Sequence, residues 1–301
     1  MATIPGTAGN DSLDGTADAD LITGDAGNDT LNGEAGADTV DGGVGADFLY
    51  WDANSGATGV QDIYHGGTGG EGFDDSPYSQ NGGDTLSLGA TGPASGFSVT
   101  LTDGFSGTAT DAYGNILTFD GMERLRTGDG ADTINASAAT GTGYEGIRIH
   151  TGGGDDVITG SAATDYINAG SGNDTIHGGD GNDVIEAGAG DDSVFGEDGN
   201  DGIRWGDGNY DGPIGNDFFD GGTGYNSLNA WQYDAAGNGV NMVLTSATSG
   251  TVDATGAATG HLAFQNFENL LTGHGSDTVD GTAAGAGGFR FFSADVNARA
   301  V

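Results

Sequence analysis

Two phased positions recur along the chain at a spacing of nine. Asp11, Asp20, Asp29, Asp38 and Asp47 are each followed two places later by an apolar residue: Leu13, Ile22, Leu31, Val40 and Leu49. Gly6, Gly15, Gly24, Gly33 and Gly42 open these units. A second run places Asp156, Asp165, Asp174, Asp183, Asp192 and Asp201 ahead of Ile158, Ile167, Ile176, Ile185, Val194 and Ile203. The consensus is Gly-Gly-x-Gly-x-Asp-x-apolar-x, as in residues 178–186. A fixed short period over many units is the signature of a solenoid.

The residue types say what each unit does. The Gly-rich hexad reaches positive φ and makes a tight turn with exposed carbonyls. The last three residues form a short strand with one apolar side chain inward. One nonapeptide is then half a coil, and loops on the same side lie 18 residues apart. This puts Asp11, Asp29 and Asp47 in one column and Asp20 and Asp38 in the other. In the second run the columns are Asp156, Asp174, Asp192 and Asp165, Asp183, Asp201.

A larger duplication encloses the small one. Trp51 and Trp205 stand two residues after Leu49 and Ile203. Residues 62–69 parallel 217–224, 97–101 parallel 240–244, 119–125 parallel 264–270, and 127–134 parallel 272–279. We read two tandem units, 1–150 and 151–301, with β-rich insertions over about 51–125 and about 205–270. Residues 97–119 and 240–264 alternate with period two and predict strands that continue or flank the roll. No 3.6-residue period is sustained, so no long helix is expected. The predicted fold is all-β, a parallel β-roll solenoid.

Composition sharpens this picture. The 301 residues include 63 Gly and only 4 Pro, without collagen's period. Asp and Glu total 45 against 6 basic residues, all Arg, for a formal net charge of −39. The absence of Lys removes P-loop nucleotide binding and Schiff-base chemistry. Nucleic acid is a poor partner for so acidic a chain. There is no Cys, and no apolar run long enough for a transmembrane helix. Residues 1–15 show no basic start and no apolar stretch, so no signal peptide is read there. A chain this charged, with 35% apolar residues, stays disordered unless cations cancel the charge.

Columns of carboxylates at strand spacing repel unless a cation lies between them. Carboxylate and carbonyl oxygens together suit Ca²⁺. The candidate metal ligands are Asp11, Asp20, Asp29, Asp38, Asp47, Asp132, Asp156, Asp165, Asp174, Asp183, Asp192, Asp201, Asp217 and Asp277. About 12 to 16 Ca²⁺ would cancel roughly 24 to 32 negative charges.

On these nonapeptides the chain resembles the RTX (repeats-in-toxin) family of calcium-binding, type I-secreted bacterial proteins. The resemblance covers residues 6–50 and 151–204, with fragments elsewhere. It implies a right-handed parallel β-roll with Ca²⁺ between successive loops and an extracellular or cell-surface location. It says little about activity, since such repeats accompany proteases, lipases, toxins and adhesins. The chain departs from the pattern at Asp18 and Ala163, which replace a loop Gly, and at Asn226, which replaces Asp.

Other chemistry is sparse. His65, His150, His177, His261 and His274 have no metal-ligand spacing. Gly141–Gly146 matches Gly-x-Gly-x-x-Gly, but no helix follows to receive a phosphate. No nucleophile elbow stands out. Arg148 and Arg290 occupy matched places and are read as carboxylate partners. Trp51, Tyr50, Tyr64, Phe73 and Tyr78, and then Trp205, Tyr210, Phe218, Phe219, Tyr225, Trp231 and Tyr233, form two aromatic sets. These either close the roll as a local core or face a partner such as a cell-surface glycan.

The first repeat begins five residues after Met1, and Val301 follows the second unit directly. Uncapped ends fit either a piece of a longer protein or copies stacked end to end. The expected function is that of a Ca²⁺-folded, extracellular structural or surface-matrix protein that self-associates, without catalytic activity and without membrane insertion. A folding and secretion module of a larger enzyme, toxin or adhesin is the second reading. A glycan-active β-helix enzyme is the third.

Overall fold

The computed structural model describes residues 1–52, 58–68, 83–89, 96–103, 106–139, 146–206, 214–230, 239–255, 259–272, 277–282, 290–293 and 299–300. The chain divides into two compact units, Met1–Gly154 and Asp155–Val301. Among the described residues every regular element is a strand. Phe73, Tyr78, Tyr210, Trp231, Tyr233, His274 and the Gly-rich stretch at 141–145 lie outside the described residues.

In the first unit successive strands alternate between two sheets. One sheet runs Ala2–Thr7, Asp20–Asp25, Thr39–Val44, Gln61–Thr68 and Ile116–Asp120, each parallel to the next. The other runs Ser12–Thr16, Thr30–Glu34, Phe48–Asp52, Thr85–Gly89, Arg124–Arg126 and Arg148–Gly153, also parallel throughout. Pairings such as Leu13 with Leu31 and Ile22 with Val40 show a register step of 18, so two nonapeptides make one coil. The insertion interrupts this order. Ser106–Thr110 runs antiparallel to Ile116–Asp120 and to Ser98–Asp103, and Thr133–Asn135 then returns parallel to Ser98–Asp103.

The second unit repeats the plan. Val157–Thr159, Thr175–Asp180, Ser193–Asp198, Gly215–Asp220 and Gly260–Gln265 stack in parallel. Opposite them lie Tyr166–Ser171, Val184–Ala189, Gly202–Arg204, Ser227–Ala230, Asn269–Thr272 and Arg290–Ser293. Gly250–Ala254 and Val240–Leu244 form the antiparallel excursion, and Thr278–Asp280 resumes parallel pairing.

The strands exceed the three residues that the repeat alone predicts. Thr175–Asp180 includes Gly178 and Gly179, and its pairing continues to Gly179 opposite Glu197 and Asp180 opposite Asp198. The coil above supplies partners along the whole edge, so hydrogen bonding continues into the glycines.

The core is a stack of the single apolar residues. Ile22 and Val40, Leu31 and Leu49, Ile158 and Ile176, and Ile167, Ile185 and Ile203 are all fully buried. Each contributes roughly 1.5–3 kcal/mol by leaving water. One such side chain per nonapeptide is a thin core, and the loops have to hold the coils together as well.

Candidate metal centre

The loops hold together through their aspartates. In most of the repeat loops the backbone N–H of the Asp donates to Oδ1 of the Asp one coil further on. This links Asp11 to Asp29, Asp29 to Asp47, and Asp20 to Asp38, at 2.7, 2.7 and 2.8 Å. In the second unit Asp156 donates to Asp174, Asp174 to Asp192, Asp165 to Asp183 and Asp183 to Asp201, at 2.8–2.9 Å. Asp192 donates to Asp217 at 2.7 Å. Asp132 and Asp277 accept in the same way from Phe97 and Val240. The structure thus places all fourteen sequence-predicted residues in these loop ladders.

Four further acids extend the ladders beyond the repeats. Asp38 donates to Asp62, Asp47 to Asp84, Asp84 to Glu123 and Asn226 to Glu268. A local signal was present, because each acid stands two residues before an apolar residue of the next strand, as in Asp84–Leu86 and Glu268–Leu270. Interrupted spacing hid it. A second ladder explains the Asn that often precedes the Asp. Asn28 Oδ1 accepts from the Ala46 N–H, Asn173 Oδ1 from Asp191, and Asn182 Oδ1 from Asn200.

The other carboxylate oxygen defines the candidate sites. Oδ2 of Asp29, Asp47, Asp174, Asp183, Asp192, Asp201 and Asp277 is buried and meets no hydrogen-bond donor. A buried anionic oxygen with no partner is expensive unless a cation completes it. Burial accordingly raises the carboxyls of Asp47, Asp174, Asp183, Asp192 and Asp201. Asp174 is pushed up to about 7, Asp183 and Asp192 to about 8, and Asp47 and Asp201 to about 6. Asp38 and Asp217 are also raised to about 6, again by burial.

The surroundings of these oxygens are glycine backbone. A Cβ at Gly178 would meet Asp183 Oδ2 at 2.5 Å and the Gly196 carbonyl oxygen at 2.8 Å. A Cβ at Gly196 would meet Asp201 Oδ2 at 2.5 Å and the Gly221 carbonyl at 2.7 Å. Carboxylate and carbonyl oxygens therefore face one another across a space only glycine leaves open. Among the described residues no three His, Asp or Glu side chains converge. Backbone carbonyls must supply much of any shell, which suits Ca²⁺ rather than Zn²⁺.

Not every loop has this form. Thr127 Oγ1 donates to Asp132 Oδ2, whereas its counterpart Thr272 has a buried hydroxyl without a partner. The indole N–H of Trp51 donates to Asp62 Oδ2 at 2.6 Å, and that of Trp205 donates to Asp217 Oδ2. Both indoles are buried, so these two aromatics close the roll from within. Tyr50, Phe218 and Tyr225 are exposed, and Arg290 lies over the Tyr225 ring at 6.0 Å. Arg204 pairs with Glu186, which also accepts from Asn168. His65, His177 and His261 pair with Asp120, Glu197 and Asp253 on the surface. Phe48, Tyr50, Arg126 and His150 line a cleft of about 310 Å³ in the first unit.

Stacked parallel coils, with donor-free carboxylate oxygens facing glycine carbonyls, define a cation-binding β-roll. The pattern of the RTX calcium-binding nonapeptide repeat (4 copies) matches residues 5–40, 14–49, 117–139, 142–176, 169–203, 177–210 and 212–231, together more than half of the chain. The chain belongs to this family of calcium-binding repeats. Among curated proteins no sequence matches it. Among solved structures it is similar to the extracellular lipase LipA from Serratia marcescens, at 17% identity and a TM-score of 0.23. That alignment covers 86% of this chain and 37% of the lipase chain.

Proposed function

We propose that this chain is an extracellular structural protein of the cell surface or its matrix, folded by Ca²⁺ and assembled from copies joined end to end. The buried, donor-free Oδ2 atoms of the loop aspartates carry this reading. Without a cation the folded state must hide these charges unpaired, and the unfolded chain need not. Ca²⁺ that binds only the folded state therefore drives folding by mass action. A chain of net charge −39 stays unfolded and exportable where Ca²⁺ is scarce, and folds outside. Assembly is supported by the repetition itself, because the step that joins coil to coil is the same in both units and is a contact that a second copy can repeat.

A Ca²⁺ titration from EDTA to several millimolar, followed by circular dichroism and light scattering on one sample, tests this. The expected course is disorder, then β structure, then large ordered particles. A chain that folds but stays monomeric fits a folding and secretion module of a larger protein. A chain already folded in EDTA at neutral pH overturns calcium-driven folding.

A further inference from the structure

Nine of the loops fall into two conformations that differ at the second and fourth positions, the fourth being left-handed at Gly27, Gly45, Gly172, Gly181, Gly190 and Gly199 but not at Gly9, Asp18 or Ala163. In the loops ending at Asp29, Asp47, Asp174, Asp183, Asp192 and Asp201, the residue four places before the Asp lies in the left-handed region. These residues are Asp25 (φ 70°), Gly43 (98°), Gly170 (104°), Gly179 (103°), Gly188 (111°) and Glu197 (72°). All six of these aspartates have a donor-free Oδ2. The loops ending at Asp11, Asp20 and Asp165 have Thr7, Thr16 and Ser161 at that place, and none of the three has positive φ.

The consequence is a reversed peptide. The N–H of Thr7, Thr16 and Ser161 points inward and donates to Oδ2 of its own loop Asp, at 2.6, 2.7 and 2.6 Å. The hydroxyl adds a second bond at 2.8 Å, to Oδ2 of Asp11 and Asp20 and to Oδ1 of Asp165. A β-branched Thr resists positive φ, and a short hydroxyl side chain bonds readily to nearby backbone and loop groups.

We propose that the loops ending at Asp11, Asp20 and Asp165 are closed by their own Thr or Ser and hold no Ca²⁺, so that Thr or Ser at the second loop position keeps a loop from taking a cation. This rests on the calcium reading above. Two donors aimed at the carboxylate take up acceptor sites a cation would use and set partial positive charge where it would lie. Asn226 reaches the same end by another route. Its Oδ1 accepts the Asp201 N–H at 2.8 Å, which turns Nδ2 into the loop. Nδ2 donates to the Asn266 carbonyl at 3.1 Å. A Cβ at Gly221 would meet that nitrogen at 2.8 Å, as one at Gly196 meets Asp201 Oδ2 at 2.5 Å. An N–H₂ group thus stands where the donor-free loops have an oxygen. The chain binds fewer ions than it has loops.

The test counts Ca²⁺ bound per chain by equilibrium dialysis at saturation, on the full chain, with circular dichroism as the check on folding. Asp25→Thr is expected to bind one ion fewer than the parent chain. Asp25→Gly, which loses the same carboxylate but keeps positive φ accessible, is expected to match the parent. Thr16→Gly, in an exposed turn, is expected to bind one more. A parent chain that binds several ions, with Asp25→Thr or Thr16→Gly unchanged, overturns the proposal alone. A parent chain that binds none overturns the calcium reading and the proposal with it.

Discussion

The N–H of Asp165 donates to Oδ1 of Asp183 at 2.9 Å, while Oδ2 of the same carboxylate is buried and meets no donor. One side chain therefore has two tasks. Oδ1 ties one coil to the next, and Oδ2 waits for a cation. This division explains why the repeat demands Asp at one place in nine. Asn satisfies the first task and not the second, and Ala satisfies neither.

At Asp174 the two tasks can be separated. Asp174→Asn keeps an acceptor for the Asp156 N–H and is expected to lose Ca²⁺ affinity. Asp174→Ala also strands that buried N–H, which adds roughly 1–3 kcal/mol of destabilisation. Asp253→Ala, by contrast, breaks only a surface pair with His261 and should change stability by less than about 0.5 kcal/mol. Urea denaturation in excess Ca²⁺ separates the Ala and Asn variants, and Ca²⁺ titration orders all three. Equal effects at Asp174 and Asp253 would sink the ladder assignment.

Much of this was legible because the repeat writes each role at a fixed place. Asp174 and Ile176 are separated by one residue in every unit, so the column of acids and the column of apolar side chains follow from counting. Asp84 and Glu123 were missed because insertions break the count, although the coil brings them into the same ladder. The indole bonds from Trp51 and Trp205 were illegible for another reason. Aromatic residues after a repeat run read as core, and only the fold shows an N–H aimed at Asp62 or Asp217. The difference between Thr16 and Asp25 was invisible as pattern, since it lies in φ rather than in spacing.

Acidity should fold the calcium-free chain. Burial raises Asp183 and Asp192 to about 8 and Asp174 to about 7, against 3.8 unperturbed. The folded state then holds protons that the unfolded chain has released, so stability is greatest in acid and falls as pH rises from the unperturbed value of 3.8 to about 8. Lower net charge at acid pH acts in the same direction. In EDTA we expect more β structure at pH 5 than at pH 8. Ca²⁺ affinity runs the other way, rising over the same range as protons are displaced. Calorimetry in two buffers of different ionisation enthalpy reads that proton release. Apo stability that climbs from pH 5 to pH 8 would contradict the burial of these groups.

Trp205→Phe removes one donor and part of a buried ring system. Phe keeps the apolar contact in part, but Asp217 Oδ2 loses its indole N–H inside the roll. We expect a loss of about 1–3 kcal/mol in urea denaturation with Ca²⁺ saturated. Trp51→Phe should behave alike through Asp62. Unchanged stability in both variants would show that neither indole bond supports its loop.

Glycine is required for space as well as for conformation, and two sites separate these demands. Gly188 has φ 111°, and a Cβ there would press into the Gly170 carbonyl of the neighbouring coil. Gly114 has φ 79° in the insertion, with nothing within 4 Å of its would-be Cβ. Gly114→Ala therefore incurs only the left-handed strain, roughly 1–2 kcal/mol. Gly188→Ala incurs that strain and must also push coils apart, which loosens the Asp174–Asp192 link in the same loop. We expect Gly188→Ala to lower both the melting temperature and the Ca²⁺ affinity, and Gly114→Ala to lower only the former. If both variants bind Ca²⁺ as the parent does, close coil contact is not what shapes the cation loops.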